Sequence, residues 1–103
     1  MIRGTTPTLF FNLPFQASLI KSAEIILKYN DVNKEVIIEK NLPDCVLGES
    51  SISATLTQEE TLSLPAPTSV LVQLRVLLTD ETALATKTYE VPVQTLLKEG
   101  VIV

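Results

Sequence analysis

Side chains alternate along most of this chain with a period of two, and the alternation stops at turn-forming residues every 8 to 15 positions. The first such stretch is "RGTTPTLFFNLPF", residues 3 to 15, where Leu9, Phe11 and Leu13 share one face and Thr8, Phe10 and Asn12 the other. That spacing predicts a strand. Pro7 and Pro14 flank it and cannot donate ladder hydrogen bonds, which suits a strand at the edge of a sheet. "SAEIILKY" sets Ala23, Ile25, Leu27 and Tyr29 against Glu24, Ile26 and Lys28, "NDVN" at 30 to 33 is rich in turn formers, and "KEVIIEK" returns as the second arm of a hairpin. Its two faces, Val36 with Ile38 against Glu35, Ile37 and Glu39, do not say which is inward.

"NLPDCVLGES" reads as a loop with a short strand around Cys45 to Leu47, and "SISATLT" resumes alternation with Ile52, Ala54 and Leu56 on one face. "TQEE" at 57 to 60 has the Thr-x-x-Glu spacing of a capping box and predicts one helical turn crossing between sheets. The two prolines of "LPAP" at 64 to 67 force an extended passage. "SVLVQLRVLLT" is the strongest strand, with Val70, Val72, Leu74, Val76 and Leu78 on one face, and it should be central. After the turn at "DETA", "LATKTYEVPV" returns with Ala85, Tyr89, Val91 and Val93 on one side.

About seven short strands with turn-rich connections and one short helical turn predict an all-β chain, a single antiparallel β-sandwich of immunoglobulin-like type over residues 1 to 93. A small Greek-key barrel is the alternative. Residues 94 to 103 form a C-terminal strand or arm. It ends in Val101, Ile102 and Val103 behind Gly100, and as an arm it could add a strand to a neighbour; the other reading pairs it with its own domain's edge.

Composition narrows the function classes. The 103 residues make one domain, 46% hydrophobic and 19% charged, able to bury a core. A net charge of −4 with no basic stripe excludes nucleic acid as an expected partner. No signal-peptide stretch and no run of about 18 apolar residues occurs, so no membrane partner and no general export are expected. Without histidine a Ser-His or Cys-His pair is impossible, and Cys45 has no second thiol with which to build a disulfide or a zinc site; it reads as a small buried hydrophobe. Acidic residues cluster at Glu59 and Glu60, at Asp80 and Glu81, and at Asp44 and Glu49, without the spacing of a calcium loop, and read as solvated loop residues. Three scattered glycines make no phosphate-binding loop. No enzyme activity, catalytic residue, metal or cofactor is expected.

What remains concerns contacts with other chains. Phe10 projects from the polar side of the first strand, Phe15 follows Pro14, and Ile26 and Ile37 sit on nominally outer faces. A docking patch is one reading; a first strand buried on both faces is the other. The protein-contact candidates are Thr5, Thr6, Phe10, Phe15, Val101, Ile102 and Val103.

"MIRGTTPTLFFNLPF", "SLIKSAEIILKYN", "LPDCVLGESSISATLTQEET" and "VQLRVLLTDETALAT" together resemble a group of small proteins encoded by tailed bacteriophages and prophages of Gram-positive bacteria. The resemblance covers most of the chain up to about Thr86. The Gly-x-Thr-Pro start also resembles the N-terminal β-sandwich of phage upper-baseplate proteins, though this chain stops after one domain. Neither resemblance carries catalytic residues. They imply a virion protein assembled in the host cytoplasm, with other phage structural proteins as partners, either the major capsid protein or tail and baseplate components, and with a homo-oligomer as a further possibility. A capsid accessory or decoration subunit is the leading expectation. A tail or baseplate connector and an intracellular prophage-encoded binding module are the alternatives.

Overall fold

The computed structural model describes residues 1–30, 35–64, 68–98 and 100–102. The turn expected at 31–33, the prolines at 65–67 and Val103 lie outside the described residues. The chain is all-β and sandwich-like, with two antiparallel sheets. Its elements are β1 (Thr8–Asn12), β2 (Ile20–Asn30), β3 (Glu35–Asn41), β4 (Val46–Leu47), β5 (Ser51–Thr55), α1 (Gln58–Leu62), β6 (Thr68–Leu78), β7 (Ala83–Ala85) and β8 (Tyr89–Val93). The smaller sheet has the order β1-β5-β4 and the larger β3-β2-β6-β7, with β8 also pairing β6.

The hydrophobic pattern sets both sheets. β6 alternates through buried Val70, Val72, Leu74 and Val76, and it pairs from Leu71 to Leu78 with β2 on one side and with β7 and β8 on the other. β2 answers with Ala23, Ile25 and Leu27, so that Ile25 faces Leu74 and Leu27 faces Val72 at the centre of the core. Ile52, Ala54 and Leu56 close over them from the smaller sheet, joined by Leu64 and Val93. In β3 the inward residue is Ile38, and Ile37 is exposed, which resolves the face that alternation alone left open. β1 is an edge strand, as Pro7 and Pro14 require.

One stretch departs from simple alternation. Val76 faces Leu84, whereas Val72, four residues away, faces Tyr89, five residues on. The extra residue is a bulge, and it splits the returning stretch into β7 and β8, giving eight strands among the described residues rather than about seven. Ala85 therefore pairs with outward Arg75 while Tyr89 pairs with inward Val72, so the two do not share a face as a continuous strand would make them. Thr86 holds the bulge. Its N–H donates to the Leu74 carbonyl at 2.9 Å, its hydroxyl accepts from the Leu74 N–H at 3.1 Å, and its carbonyl accepts from the Gln73 amide at 2.9 Å.

α1 carries the chain from the smaller sheet to the larger. Thr57 and Glu60 form the capping box, the Thr57 hydroxyl accepting from the Glu60 N–H at 3.1 Å and the Glu60 carboxylate from the Thr57 N–H at 2.8 Å. The same carboxylate meets the Lys40 ammonium at 2.8 Å. Lys40 pairs with Ile25 and so lies on the core face of edge strand β3, an inward charge that also blunts that edge. Partial burial pushes the Glu60 carboxyl up, and the Lys40 ammonium with the Thr57 amide outweighs it, leaving the group below its ordinary value. A carboxyl lowered on folding stabilises the native state above its unfolded pKa, and the stabilisation is lost as pH falls through the folded value. Glu60→Gln should therefore lower the urea midpoint near pH 7 by the equivalent of about 1 kcal/mol. The gap to wild type should close as pH is taken below the ordinary carboxylate value; a pH-independent gap would mean that the ion pair contributes nothing.

Candidate protein-contact surfaces

The outer face of the smaller sheet is the first candidate. Phe10 of β1 lies opposite Ser53 of β5, and Ser53 lies opposite Val46 of β4, so one row across the sheet reads Phe-Ser-Val. Phe10 is 60% exposed and Val46 70%, with the small serine between them. Thr8, Asn12, Ser51 and Thr55 surround the row, and the Thr8 and Thr55 hydroxyls bond each other at 2.9 Å. No residue of β1, β4 or β5 is charged. On the outer face of the larger sheet, in contrast, Glu24 pairs with Arg75 at 2.9 Å, and exposed Ile37 and Leu71 flank Lys28.

The termini meet at one end of the sandwich. The Met1 ammonium donates to the Pro92 carbonyl at 2.8 Å, the Gln94 N–H to the Met1 carbonyl at 2.7 Å and the Arg3 N–H to the Gln94 carbonyl at 3.1 Å, so residues 1 to 3 extend the larger sheet beside β8. The Arg3 guanidinium reaches α1, donating to the Leu62 and Leu64 carbonyls at 2.7 Å each, where a cation suits the helix C-terminus. Thr5 donates its hydroxyl to the Ile2 carbonyl at 2.6 Å, and its own carbonyl accepts from the buried Thr61 hydroxyl at 2.9 Å. Thr5 and Thr6 are both exposed.

The C-terminal segment lies against the same corner. The Gln58 side-chain amide donates to the Ile102 carbonyl at 3.1 Å and its oxygen accepts from the Ile102 N–H at 2.7 Å. This holds backbone alone: Ile102 is 80% exposed, Val101 is exposed and Leu97 is fully exposed. Phe15 is at the opposite end, half-buried against the core in a cleft of about 290 Å³. The structure thus puts Thr5, Thr6, Val101 and Ile102 near one another, Phe10 on a sheet face and Phe15 at the far end. Val46 was not singled out by its sequence, because its outward position follows only from its pairing with Ser53.

Cys45, Asp44, Asp80 and Glu81 are engaged in local structure. Burial first, then the Asp44 carboxylate, pushes the Cys45 thiol up against the opposing pull of Lys40, and Sγ lies 3.3 Å from the Asn41 carbonyl. Asp44 closes a capping box with Asn41 over the 3-10 turn Leu42–Asp44. The Thr82 side chain and N–H hold Asp80 below its ordinary value, and Glu81 pairs with Lys21. Among the described residues no group of three or more His, Cys, Asp or Glu is placed to hold a metal, and no helix is long and apolar enough to cross a membrane. No protein-family model matches the chain, and no curated protein matches it.

The corner depends on Gly4, which is buried with φ of +73°. A Cβ there would stand 2.8 Å from Leu96 Cδ1 and 3.3 Å from Leu62 Cδ2. Gly4→Ala should cost about 1–3 kcal/mol through the left-handed backbone and the close approach. The check is the urea midpoint with an unchanged slope.

Proposed function

We propose that this chain is a virion structural protein of a tailed bacteriophage, a capsid accessory or decoration subunit that acts by protein–protein contact. The observation that carries the reading is the uncharged outer face of the smaller sheet, where Phe10 and Val46 stand exposed on either side of Ser53. The likeness of the sequence to small phage proteins supplies the context. A chain of net charge −4 approaches another acidic surface at least cost through a face that carries no charge. Hydroxyl and amide groups around an apolar centre also match the anatomy of a contact patch, with its apolar middle and polar rim. The patch is small for a stable pairwise complex, and a repeating lattice supplies what it lacks, since many equivalent weak contacts hold a coat in place. A tail or baseplate connector would use the same surface in a ring of fixed order, and the position of the chain on the particle separates the two.

The test is co-sedimentation of the purified chain with particles produced without it. Wild-type chain should pellet with the particles. The double variant Phe10→Ser with Val46→Ser should bind at least about tenfold more weakly, since burying one such side chain contributes about 1.5–3 kcal/mol, and its unfolding midpoint should stay near that of wild type. Wild-type chain that remains in the supernatant would overturn the reading.

A further inference from the structure

Leu84 pairs with Val76 across β6 and so carries its side chain on the core face, yet it is 41% exposed. An inward apolar side chain left in water marks a place where the two sheets do not close over each other. The opening is the cleft that holds Phe15: Leu13 and Phe15 form one wall, Leu74, Val76 and Leu84 the other. β7 is the edge of the larger sheet there. The Leu78 N–H donates to the Thr82 carbonyl and the Thr86 N–H to the Leu74 carbonyl, so by the alternation of an antiparallel ladder the N–H and C=O groups of Ala83 and Ala85 point away from β6. A free backbone edge above an apolar cleft is what an added extended segment completes, with main-chain bonds to the edge and side chains in the cleft. Further along this side of the sheet the chain already does so, where residues 1 to 3 bond to Pro92 and Gln94.

The C-terminal segment has the matching character. Its Leu97, Val101 and Ile102 side chains are left to solvent, and Gln58 holds Ile102 by its backbone. Its own cleft is out of reach. Val93 faces Thr68 and Leu84 faces Val76, so the two lie eight residues apart along β6, about 27 Å. The nine residues from Gln94 to Ile102 carry the chain at most about 31 Å beyond Val93 when fully extended, which leaves no more than about one of them to lie in the cleft.

We propose that the cleft beside β7 receives the C-terminal segment of a second copy of this chain, which pairs with Ala83 and Ala85 and covers Leu84 and Phe15. Donor and acceptor sit at opposite ends of the molecule, so the contact is head-to-tail and repeats into a closed ring or an open filament. The inference concerns self-association and stands independently of the virion reading, which a particle-binding assay tests separately.

The experiment is sedimentation velocity of the full chain across concentration, from about 1 μM to 1 mM. Wild type should form species larger than a dimer. Ile102→Asp removes the donor; Ala85→Pro removes an outward N–H of the acceptor, at an edge position that proline tolerates; Leu84→Glu puts a charge in the cleft. Each should weaken association at least tenfold, with the thermal unfolding of Ile102→Asp and Ala85→Pro close to wild type. Mixing Ile102→Asp with Ala85→Pro leaves one intact donor and one intact acceptor, and should yield a dimer and nothing larger. A wild-type chain that stays monomeric throughout, or oligomers that survive either Ile102→Asp or Ala85→Pro, would overturn the proposal.

Discussion

The crossing of the first seven residues from one sheet to the other is the constraint on which the rest of the sandwich depends, and it turns at Gly4. Residues 1 to 3 belong to the larger sheet through their bonds to Pro92 and Gln94, and from Thr8 the chain belongs to the smaller one. Only a residue without Cβ takes φ of +73° in so tight a space, beneath Leu96 and beside Leu62. The neighbours of Gly4 fasten the corner: Arg3 binds the carbonyls at the end of α1 and Thr61 binds the Thr5 carbonyl. Residues 1 to 3 are thus one half of a clasp whose other half runs from Pro92 to Leu96. The clasp closes one end of the seam between the sheets and leaves the other, at Phe15 and Leu84, open.

That asymmetry connects fold to function. The closed end gathers both termini and displays Leu97 and Ile102, the open end exposes Leu84, and the uncharged face of the smaller sheet presents Phe10 and Val46 between them. Scattered exposed apolar residues need no explanation in a small domain. These differ because two of them sit together on a face without charge, and one is an inward residue that its own core fails to cover. Asp44, Glu60, Asp80 and Glu81, by contrast, are tied into caps, a turn and an ion pair.

Much of the fold was legible because period-two alternation is strong wherever a strand has one buried face. β6 reads as central from its run of valines and leucines, Pro7 and Pro14 mark β1 as an edge, and Thr57 with Glu60 announces α1. Alternation failed where the backbone inserts a residue. Nothing in "LATKTYEVPV" says that the Thr86 hydroxyl will replace a carbonyl in the ladder, so the opposite facing of Ala85 and Tyr89 was hidden. The outward direction of Phe10 could be read, since it follows from its own strand. Val46, the Gln58 contact with Ile102 and the cleft around Leu84 could not, because each arises from partners far apart in the chain.

Hydrogen exchange at the amides of Ala83 and Ala85, followed as a function of protein concentration, tests most directly whether this domain is built to be completed by another copy. Both amides point away from β6, and in an isolated chain they should exchange at the rate of an open edge. The account predicts that their exchange slows progressively as concentration rises, while the Leu27 and Val72 amides at the centre of the sheet stay unchanged. Exchange at Ala83 and Ala85 that is independent of concentration would contradict it.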